Sequence, residues 1–214
     1  MNMSKDSSDL QSSYDGVAER YAEEYFDELK RKPDDRKLLD EFADTVRDKG
    51  LVCEIGCGPG QIARYLKDRG VSIRGIDLSE EMVKSARILN PDISFASGNM
   101  LALAAPDDSF AGIVSFYAII HIQRDKVTTA LAEMNRVLQP GGNLLISFHE
   151  GEGELHRDEW YEQPVSIDVT LFGSEEMTDY LEAAGFEVDL IVERPPYDFE
   201  YPTRRVYVQA SKPS

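Results

Sequence analysis

The chain has 214 residues, of which 42% are hydrophobic and 29% are charged, the composition of an ordinary globular protein. A chain of this length fits one compact domain with a substantial core. It carries 23 basic and 40 acidic residues, which give a formal net charge of −17. Such a surface repels phosphate backbones, so it argues against a nucleic-acid partner or substrate. Solubility or adaptation to salt explains the acidity better.

The first thirteen residues are polar and contain no apolar stretch of the kind that signal peptides carry. We expect residues 1–13 to form a disordered tail and residues 14–214 to form a single domain. No apolar run in the sequence is long enough to span a bilayer. We therefore expect a cytoplasmic protein without a membrane partner.

Two helices are predicted before the first strand, over residues 14–29 and from about residue 34 to residue 49. Each has apolar side chains at helical spacing, which predicts one buried face on each helix. These side chains are Val17, Tyr21, Tyr25 and Leu29 in the first helix, and Leu38, Leu39, Phe42 and Val46 in the second.

Residues 51–60, LVCEIGCGPG, are the most informative segment of the chain. They predict a short apolar strand that ends in an acidic residue, then a tight glycine turn, then a helix that begins near Gln61. Glycine allows the chain to turn sharply and lets a ligand contact the backbone. At the carboxyl end of the first strand of an open α/β sheet, such a loop is typical of a nucleotide site.

This segment does not fit a dinucleotide. The pattern G-x-G-x-x-G requires a third glycine where this chain has Gln61. Glu54 would also lie close to a pyrophosphate and repel it. S-adenosylmethionine (SAM) has a sulfonium and no phosphate, and its carboxylate can accept hydrogen bonds from the glycine amides. SAM therefore fits better than NAD(P), and an NAD(P)-dependent oxidoreductase is the less favoured alternative.

The same segment resembles the first motif of the class I SAM-dependent methyltransferases, E/D-x-G-x-G-x-G. Four residues match it position by position, namely Glu54, Gly56, Gly58 and Gly60. The resemblance covers about residues 14–212. It implies a single-domain, Rossmann-like, three-layer α/β sandwich with a mostly parallel seven-stranded sheet, whose last strand is antiparallel and lies beside the sixth.

The rest of the chain alternates strands and helices. Strands are predicted to begin near positions 51, 72, 93, 110 and 143, and helices near positions 61, 80 and 125. This alternation favours a parallel sheet covered by helices on both faces. Residues 151–165 are predicted to form a loop inserted after the fifth strand. A helix over residues 174–184 and strands over residues 186–192 and 204–210 complete the domain.

Two polar positions are predicted to hold the nucleoside. Asp77 ends the second strand about twenty residues after the glycine turn, the distance at which a Rossmann-type sheet places a carboxylate against ribose hydroxyls. Ser79 follows as a predicted helix N-cap. Members of the family usually carry an aspartate that binds the adenine amino group. This chain has Asn99 there, and its amide oxygen can still accept that hydrogen bond.

The resemblance also implies contacts around the methionine part of the cofactor. Phe116 and Tyr117 would border it, and Tyr14 and Tyr21 belong to a Y-D-x-V-A-x-x-Y segment that in similar proteins folds over the cofactor. Residues 14–49 would then form a helical lid. Core packing is the alternative role for these aromatic rings. The complete predicted cofactor site comprises Tyr14, Tyr21, Glu54, Gly56, Gly58, Gly60, Asp77, Leu78, Met82, Asn99, Met100, Phe116 and Tyr117.

The acceptor side of the site is less strongly marked. Methyl transfer depends mainly on alignment, and a general base is needed only when the acceptor must lose a proton. His121, just after the fourth strand, is the candidate base because its ordinary pKa is near neutrality. Capping of the following turn is its alternative role. His149, Trp160 and Tyr161 are candidate walls of an acceptor pocket, although Trp160 and Tyr161 could instead pin the inserted loop to the sheet.

Two other polar segments contain residues that could form a site. Residues 149–156, HEGEGELH, do not fit the metal-binding pattern H-E-x-x-H, so we expect a solvated acidic loop and no metal. Arg204, Arg205 and Tyr207 on the last strand are expected to pair with surface acids, with a position facing the substrate as the alternative.

These observations predict an enzyme that transfers a methyl group from SAM to an oxygen, nitrogen or sulfur atom of a small-molecule acceptor, releasing S-adenosylhomocysteine (SAH). The alternative is a SAM-binding or regulatory module without catalysis, because methyl transfer requires no invariant side chain. A nucleic-acid methyltransferase is opposed by the charge. The sequence predicts neither the acceptor nor the oligomeric state.

Overall fold

The computed structural model describes residues 5–214. Its first helix, α1, spans Lys5–Tyr25, so most of the predicted disordered tail is helical. Residues 1–4 of that tail lie outside the described residues. The additional helical turns are ordered because they contact another part of the chain. The Ser13 hydroxyl accepts a hydrogen bond from the Ser166 amide at 2.8 Å.

Helices and strands then follow much as the sequence predicts. After α1 and a 3-10 turn at Glu28–Arg31 come α2 (Pro33–Val46), β1 (Val52–Ile55), α3 (Gln61–Lys67), β2 (Ile73–Asp77), α4 (Glu80–Leu89), β3 (Ser94–Ser97), β4 (Phe110–Phe116), a 3-10 turn at Ile119–His121, α5 (Arg124–Val137), β5 (Leu138–His149), β6 (Glu154–Trp160), β7 (Gln163–Thr170), α6 (Ser174–Ala183), β8 (Glu187–Arg194) and β9 (Arg205–Ser211). None of the helices in the described part of the chain has both the length and the apolarity needed to cross a bilayer.

Seven strands form one sheet in the order β3-β2-β1-β4-β5-β9-β8. The neighbours from β3 to β5 pair in parallel, whereas β9 is antiparallel to both β5 and β8. This confirms the predicted sheet, including its antiparallel last strand. The strand order reverses between β1 and β4. In open α/β sheets, ligands bind in the crevice at such a point, beyond the carboxyl ends of the strands.

Helices cover both faces of this sheet and give the predicted three-layer sandwich. On one face, α5 and α6 pack against the sheet through buried residues such as Leu131 and Leu181. On the other face, α2 and α3 pack through Phe42 and Leu66. The strand β4 is buried along nearly its whole length, as its continuous apolar run predicts.

The segment after β5 differs from the prediction. In place of an inserted loop, β6 and β7 form an antiparallel hairpin that makes a separate two-stranded sheet. Apolar residues alternate along β7 at Val165, Ile167 and Val169, which gives the hairpin one apolar face. That face packs against Val17 of α1 in a small cluster of its own. The glycines before β6 favoured a loop, but the alternation that forms the hairpin begins after them.

Candidate functional site

A cavity of about 730 Å³ lies at the carboxyl ends of β1, β2 and β4, bordered by α1 and the β6–β7 hairpin. It therefore occupies the crevice where the strand order reverses. Every residue of the predicted cofactor site except Gly60 lines this cavity, and so do His121, His149 and Trp160. The fold thus brings nearly all of the predicted site residues together.

The glycine turn between β1 and α3 has a backbone that favours glycine. Gly56, Gly58 and Gly60 have φ angles of +74°, +48° and +82°. A Cβ on Gly56 would lie 2.2 Å from the Cβ of Ala118, so the close approach of β1 to the chain after β4 requires a glycine. Gly60 does not line the cavity. It is buried at the start of α3, where a Cβ would meet Phe95, so it shapes the turn.

Glu54 supports this turn from beneath. Its carboxylate accepts a hydrogen bond at 2.8 Å from the amide of Ala63, in the first turn of α3. Burial raises the pKa of Glu54 well above its usual range and so favours the uncharged carboxyl. The predicted repulsion between Glu54 and a pyrophosphate is correspondingly weakened. Gln61, in place of a third glycine, remains the stronger argument against a dinucleotide.

Asp77 joins the end of β2 to the glycine turn. One carboxylate oxygen accepts a hydrogen bond from the amide of Gly58 at 2.7 Å, and the other accepts one from the amide of Ser79 at 2.8 Å. Burial raises the pKa of Asp77, while these amide hydrogen bonds oppose the increase. Leu78 and Met82 line the cavity beside it. Ser79 is the N-cap of α4, as predicted, and accepts from the amide of Met82.

Asn99 and Met100 line the cavity beyond β3. The side-chain oxygen of Asn99 accepts a hydrogen bond from the amide of Leu101 at 2.9 Å. An amide oxygen has two lone pairs, so one lone pair and the NH2 group are left for a ligand. The predicted adenine contact is therefore compatible with this geometry, but it would share the oxygen with the backbone.

The helix α1 is fixed over the side of the cavity that Asp77 and the glycine turn line. The Asp15 carboxylate accepts hydrogen bonds from the hydroxyl of Ser79 at 2.6 Å and from the amide of Glu81 at 3.1 Å. Both donors belong to the start of α4. The Tyr21 ring lies over the glycine turn, 3.7 Å from the position that a Cβ on Gly58 would occupy. These contacts place α1 where the predicted lid would lie.

Aromatic rings form the wall where α1 meets the hairpin. The ring of Trp160 lies edge-on to Tyr14, Tyr21 and Tyr25, with centroid distances of 6.0, 5.5 and 6.4 Å. All four residues line the cavity. Tyr161 was also predicted there, but it stacks on Trp160 and donates a hydrogen bond to Glu24 of α1 at 2.6 Å. It does not line the cavity, so its role is to hold the hairpin against α1.

His121 has a hydrogen-bond partner at each ring nitrogen. Its Nδ1 lies 2.9 Å from the backbone oxygen of Asp168 on β7, and its Nε2 lies 2.8 Å from the hydroxyl of Tyr14 on α1. Neither nitrogen caps the turn that follows, which was the alternative prediction. Burial lowers the pKa of His121, so the neutral ring is favoured.

Tyr117 lines the cavity just after β4 and has a left-handed backbone at φ +52°. Its hydroxyl is 2.9 Å from the hydroxyl of Tyr207, and its ring centroid is 5.1 Å from that of His149. The Lys32 ammonium and the Arg205 guanidinium lie 5.8 and 5.9 Å from the centre of the Tyr117 ring. Non-glycine residues with this backbone are uncommon and cluster at functional sites.

A buried ionic network surrounds this end of the cavity, and the sequence did not predict it. Arg194 donates to Asp35 at 2.9 Å and to Glu200 at 2.6 Å. Lys32 lies 2.6 Å from Glu28 and 3.3 Å from Glu200. Two of these pairs, Arg194 with Asp35 and Lys32 with Glu200, join residues that are far apart in sequence, and no local pattern indicates that they meet.

The two arginines at the start of β9 differ in their surroundings. Arg204 pairs with Glu150 and Glu193 at the surface, as predicted. Arg205 is buried and lines the cavity, which corrects the prediction of a surface pair. Strand alternation explains the difference, because successive side chains point to opposite faces. Within the described part of the chain, no three His, Cys, Asp or Glu side chains are placed to hold a metal ion.

Comparison with known proteins gives a consistent picture. Residues 52–142 match the protein family described as "Methyltransferase domain". A relative from Mycolicibacterium smegmatis, named a probable S-adenosylmethionine-dependent methyltransferase, is 31% identical over 139 residues, 64% of this chain and 52% of the relative. The 2-methyl-6-phytyl-1,4-hydroquinone methyltransferase of Synechocystis is 39% identical over 108 residues, 49% of this chain and 33% of the relative. The chain spans less than two thirds of the length of these relatives.

A solved structure extends the likeness to nearly the whole fold. The magnesium protoporphyrin IX methyltransferase of Synechocystis, with bound SAM, has a TM-score of 0.72 and 15% sequence identity. The match covers 99% of this chain and 100% of that one. At this identity the likeness concerns the fold alone. Residues 52–142 are thus similar to the methyltransferase domain family, and the chain has the fold of a solved SAM-dependent methyltransferase.

Proposed function

We propose that this chain binds SAM in the cavity and transfers its methyl group to an oxygen, nitrogen or sulfur atom of a small-molecule acceptor, releasing SAH. The observation that carries the proposal is that one cavity is lined by the glycine turn, Asp77, Asn99 and the His121 side chain. Cofactor-binding and acceptor-facing groups therefore border the same space.

The residues present fit SAM. The turn at Gly56 and Gly58 leaves no Cβ between the backbone and a ligand, so SAM can approach the backbone closely. The amides of Gly56 and Gly58 already donate to the backbone oxygen of Ile76 and to the Asp77 carboxylate, so they are not free for the SAM carboxylate. We expect Asp77 to accept hydrogen bonds from the ribose hydroxyls and Asn99 to contact the adenine amino group. Bound SAM supplies an activated methyl group. The chain then contributes alignment and the exclusion of water.

The acceptor subsite is proposed to lie between His121 and Tyr117, on the side of the cavity with His149 and Trp160. A volume of about 730 Å³ falls within the range of pockets that hold a drug-sized ligand, about 300–1,000 Å³. The named substrates of the Synechocystis relative and structural neighbour are a hydroquinone and a porphyrin, both small molecules. The net charge of −17 opposes a polynucleotide acceptor. A cytoplasmic location remains a prediction from the sequence.

Calorimetry with SAM and SAH tests the cofactor assignment. Asp77→Asn removes the carboxylate charge from the proposed ribose contact. We expect it to weaken SAM binding about 10- to 100-fold, since hydrogen bonds to a charged group contribute roughly 1.5–3 kcal/mol. Asp48→Asn, at an exposed position near the end of α2, is the matched control and should leave the affinity unchanged. Absence of binding by the unaltered chain would contradict the proposal.

Transfer of a labelled methyl group tests catalysis. The chain is incubated with methyl-labelled SAM and a panel of phenols, amines and thiols, and the products are separated by chromatography. We expect label in at least one acceptor. Tight SAM binding without transfer to any acceptor would favour the non-catalytic module, and binding of NAD in place of SAM would favour the oxidoreductase.

A further inference from the structure

The protonation of His121 is fixed by its two partners. The backbone oxygen of Asp168 can only accept a hydrogen bond, so Nδ1, which lies 2.9 Å from it, carries the proton. In the neutral ring, Nε2 is then the lone-pair nitrogen. The Tyr14 hydroxyl, 2.8 Å away, donates its hydrogen to Nε2.

This arrangement leaves His121 without an open basic atom. Its only lone-pair nitrogen is occupied by Tyr14, whose side chain itself lines the cavity. An acceptor in the cavity therefore meets the phenol oxygen of Tyr14 in front of Nε2. We propose that Tyr14 is a catalytic residue of the proposed methyl transfer, which accepts the acceptor's proton on its oxygen while passing its own proton to Nε2 of His121.

The proposal rests on the proposed function, and its proton balance is complete. A lone pair of the acceptor heteroatom forms the new bond to the methyl group that bound SAM supplies. The bond between the methyl group and sulfur breaks, and its electron pair stays on sulfur. The acceptor heteroatom gives its proton to the Tyr14 oxygen. Tyr14 gives its original proton to His121, which becomes an imidazolium and later releases that proton to water. The positive charge lost from the sulfonium is thus held by His121.

The surroundings keep this pair neutral between turnovers. Burial raises the pKa of Tyr14 and lowers that of His121, so neither group ionises alone near neutral pH. Besides His121, the ionisable groups that face Tyr14 include Asp77, Tyr21, Tyr25 and Arg157. On the other side, His121 is faced by Asp168 and by His149. A concerted transfer fits this environment because no free phenolate is formed.

The relay is assembled from three separate elements. Tyr14 belongs to α1, Asp168 belongs to β7, and His121 lies in the turn after β4. The relay therefore exists only when the helix and the hairpin both lie against the sheet. This arrangement couples proton transfer to a cavity closed on that side, in which water competes less with the acceptor.

A purely structural role for Tyr14 gives different expectations. If the Tyr14 hydroxyl only held α1 in place, its loss would slow transfer to every acceptor to the same degree. If it relays a proton, its loss slows only acceptors that have a proton to lose. Tyr14→Phe keeps the ring and removes the hydroxyl, so it separates the two roles.

The first test requires no acceptor. The chain has 3 histidines, so 15N-histidine labelling gives a spectrum that single substitutions can assign. We expect His121 in the Nδ1–H tautomer, with an Nε2 signal that moves in Tyr14→Phe while the signals of His156, exposed on β6, do not. An Nε2–H tautomer overturns the proposal. This readout stands whether or not SAM binding supports the proposed function.

The second test compares two probe acceptors. Hydroquinone must lose a proton on methylation, whereas pyridine has none to lose. With labelled SAM we expect Tyr14→Phe to slow hydroquinone methylation about 100-fold more than pyridine methylation, within the usual range for general-base catalysis. His121→Asn should give a similar ratio, and the double variant should be no slower than the slower single one. Equal losses for both probes overturn the relay, and if the unaltered chain methylates neither probe, the tautomer decides.

Discussion

Gly56 and Gly16 differ in whether the fold leaves room for a side chain. Gly56 has φ +74°, and an added Cβ would lie 2.2 Å from Ala118. Gly16 is an exposed residue within α1 with no atom within 4 Å of the added Cβ. We expect Gly56→Ala to destabilise the fold by about 2–4 kcal/mol through strain and overpacking. Gly16→Ala should stabilise it by about 0.5–1 kcal/mol, because alanine is the better helix former.

Urea denaturation of the two variants measures both effects. The Gly56→Ala chain should also lose SAM affinity, since the turn would have to move. Equal stability of the two variants would contradict the tight approach of the glycine turn to the segment after β4.

His149 is expected to make the stability of the fold depend on pH. Burial, followed by the positive charge of Arg205, lowers its pKa to about 3, against an ordinary value of 6.5. The unfolded chain therefore binds this proton more readily than the folded chain between about pH 6.5 and pH 3. It follows that stability contributed by the neutral His149 is present above pH 6.5 and is lost as the pH falls toward 3.

Replacement of His149 by Asn removes this titration. On acidification from pH 7 to pH 4, we expect the free energy of unfolding of the original chain to fall by at least about 1 kcal/mol more than that of His149→Asn. One pKa unit corresponds to 1.36 kcal/mol. Denaturant titrations at several pH values measure it. A difference that is independent of pH would show that His149 is solvated in the folded protein.

At the scale of elements, the sequence predicts best where one local pattern determines the structure. The apolar run of β4 is sufficient to predict that strand, and the N-cap at Ser79 is sufficient to predict the start of α4. The hairpin was missed because its strands depend on contacts with α1, and the glycines Gly151 and Gly153 locally favour a loop. The N-terminal extension of α1 was missed for the same reason, since its polar residues become ordered through contacts such as that with Ser166.

Trp160 provides a test of the contact between α1 and the hairpin. Its ring touches Tyr14, Tyr21 and Tyr25, and aromatic pairs contribute about 0.5–1.5 kcal/mol each beyond burial. We expect Trp160→Ala to increase amide hydrogen exchange in the middle of α1 at least about 10-fold by local opening. Trp160→Phe, which keeps an aromatic ring, should have a smaller effect.

Amides of α5 serve as an internal control in the same exchange experiment, because this helix packs on the sheet. Unchanged exchange in α1 after Trp160→Ala would indicate that Asp15 and its contacts with α4 are sufficient to hold the helix.

At the scale of the whole molecule, the sequence predicts one half of the cavity from motifs, whereas in the other half it does not predict the ionic network. The half lined by Asp77, Asn99 and the glycine turn follows from motifs at the ends of β1, β2 and β3, because parallel strands bring their carboxyl ends to one edge. The other half joins Lys32 before α2 to Glu200 before β9, and only the folded chain brings them together. Lys32 and Glu200 carry no local signal in the sequence, since their pairing depends on contacts across the whole sheet.

Asp35 tests whether this long-range network stabilises the fold. Its carboxylate accepts hydrogen bonds from Arg194 at 2.9 Å and from the Tyr207 hydroxyl at 2.6 Å, and all three side chains are buried. Asp35→Ala would leave the Arg194 charge buried with Glu200 as its remaining ionic partner. We expect a loss of about 3–5 kcal/mol in the free energy of unfolding, the usual cost of removing one member of a buried pair.

The neighbouring Asp34 is a matched control, because it lies in the same first turn of α2 but is exposed and contacts Tyr197. Asp34→Ala should cost no more than about 1 kcal/mol. Replacing Asp35 by Leu together with Arg194 by Met should recover part of the loss, since a buried pair replaced by apolar residues leaves no unpaired charge. Urea denaturation compares the four chains. Equal costs for Asp34→Ala and Asp35→Ala would mean that water reaches Arg194 and that the buried pair contributes little to stability.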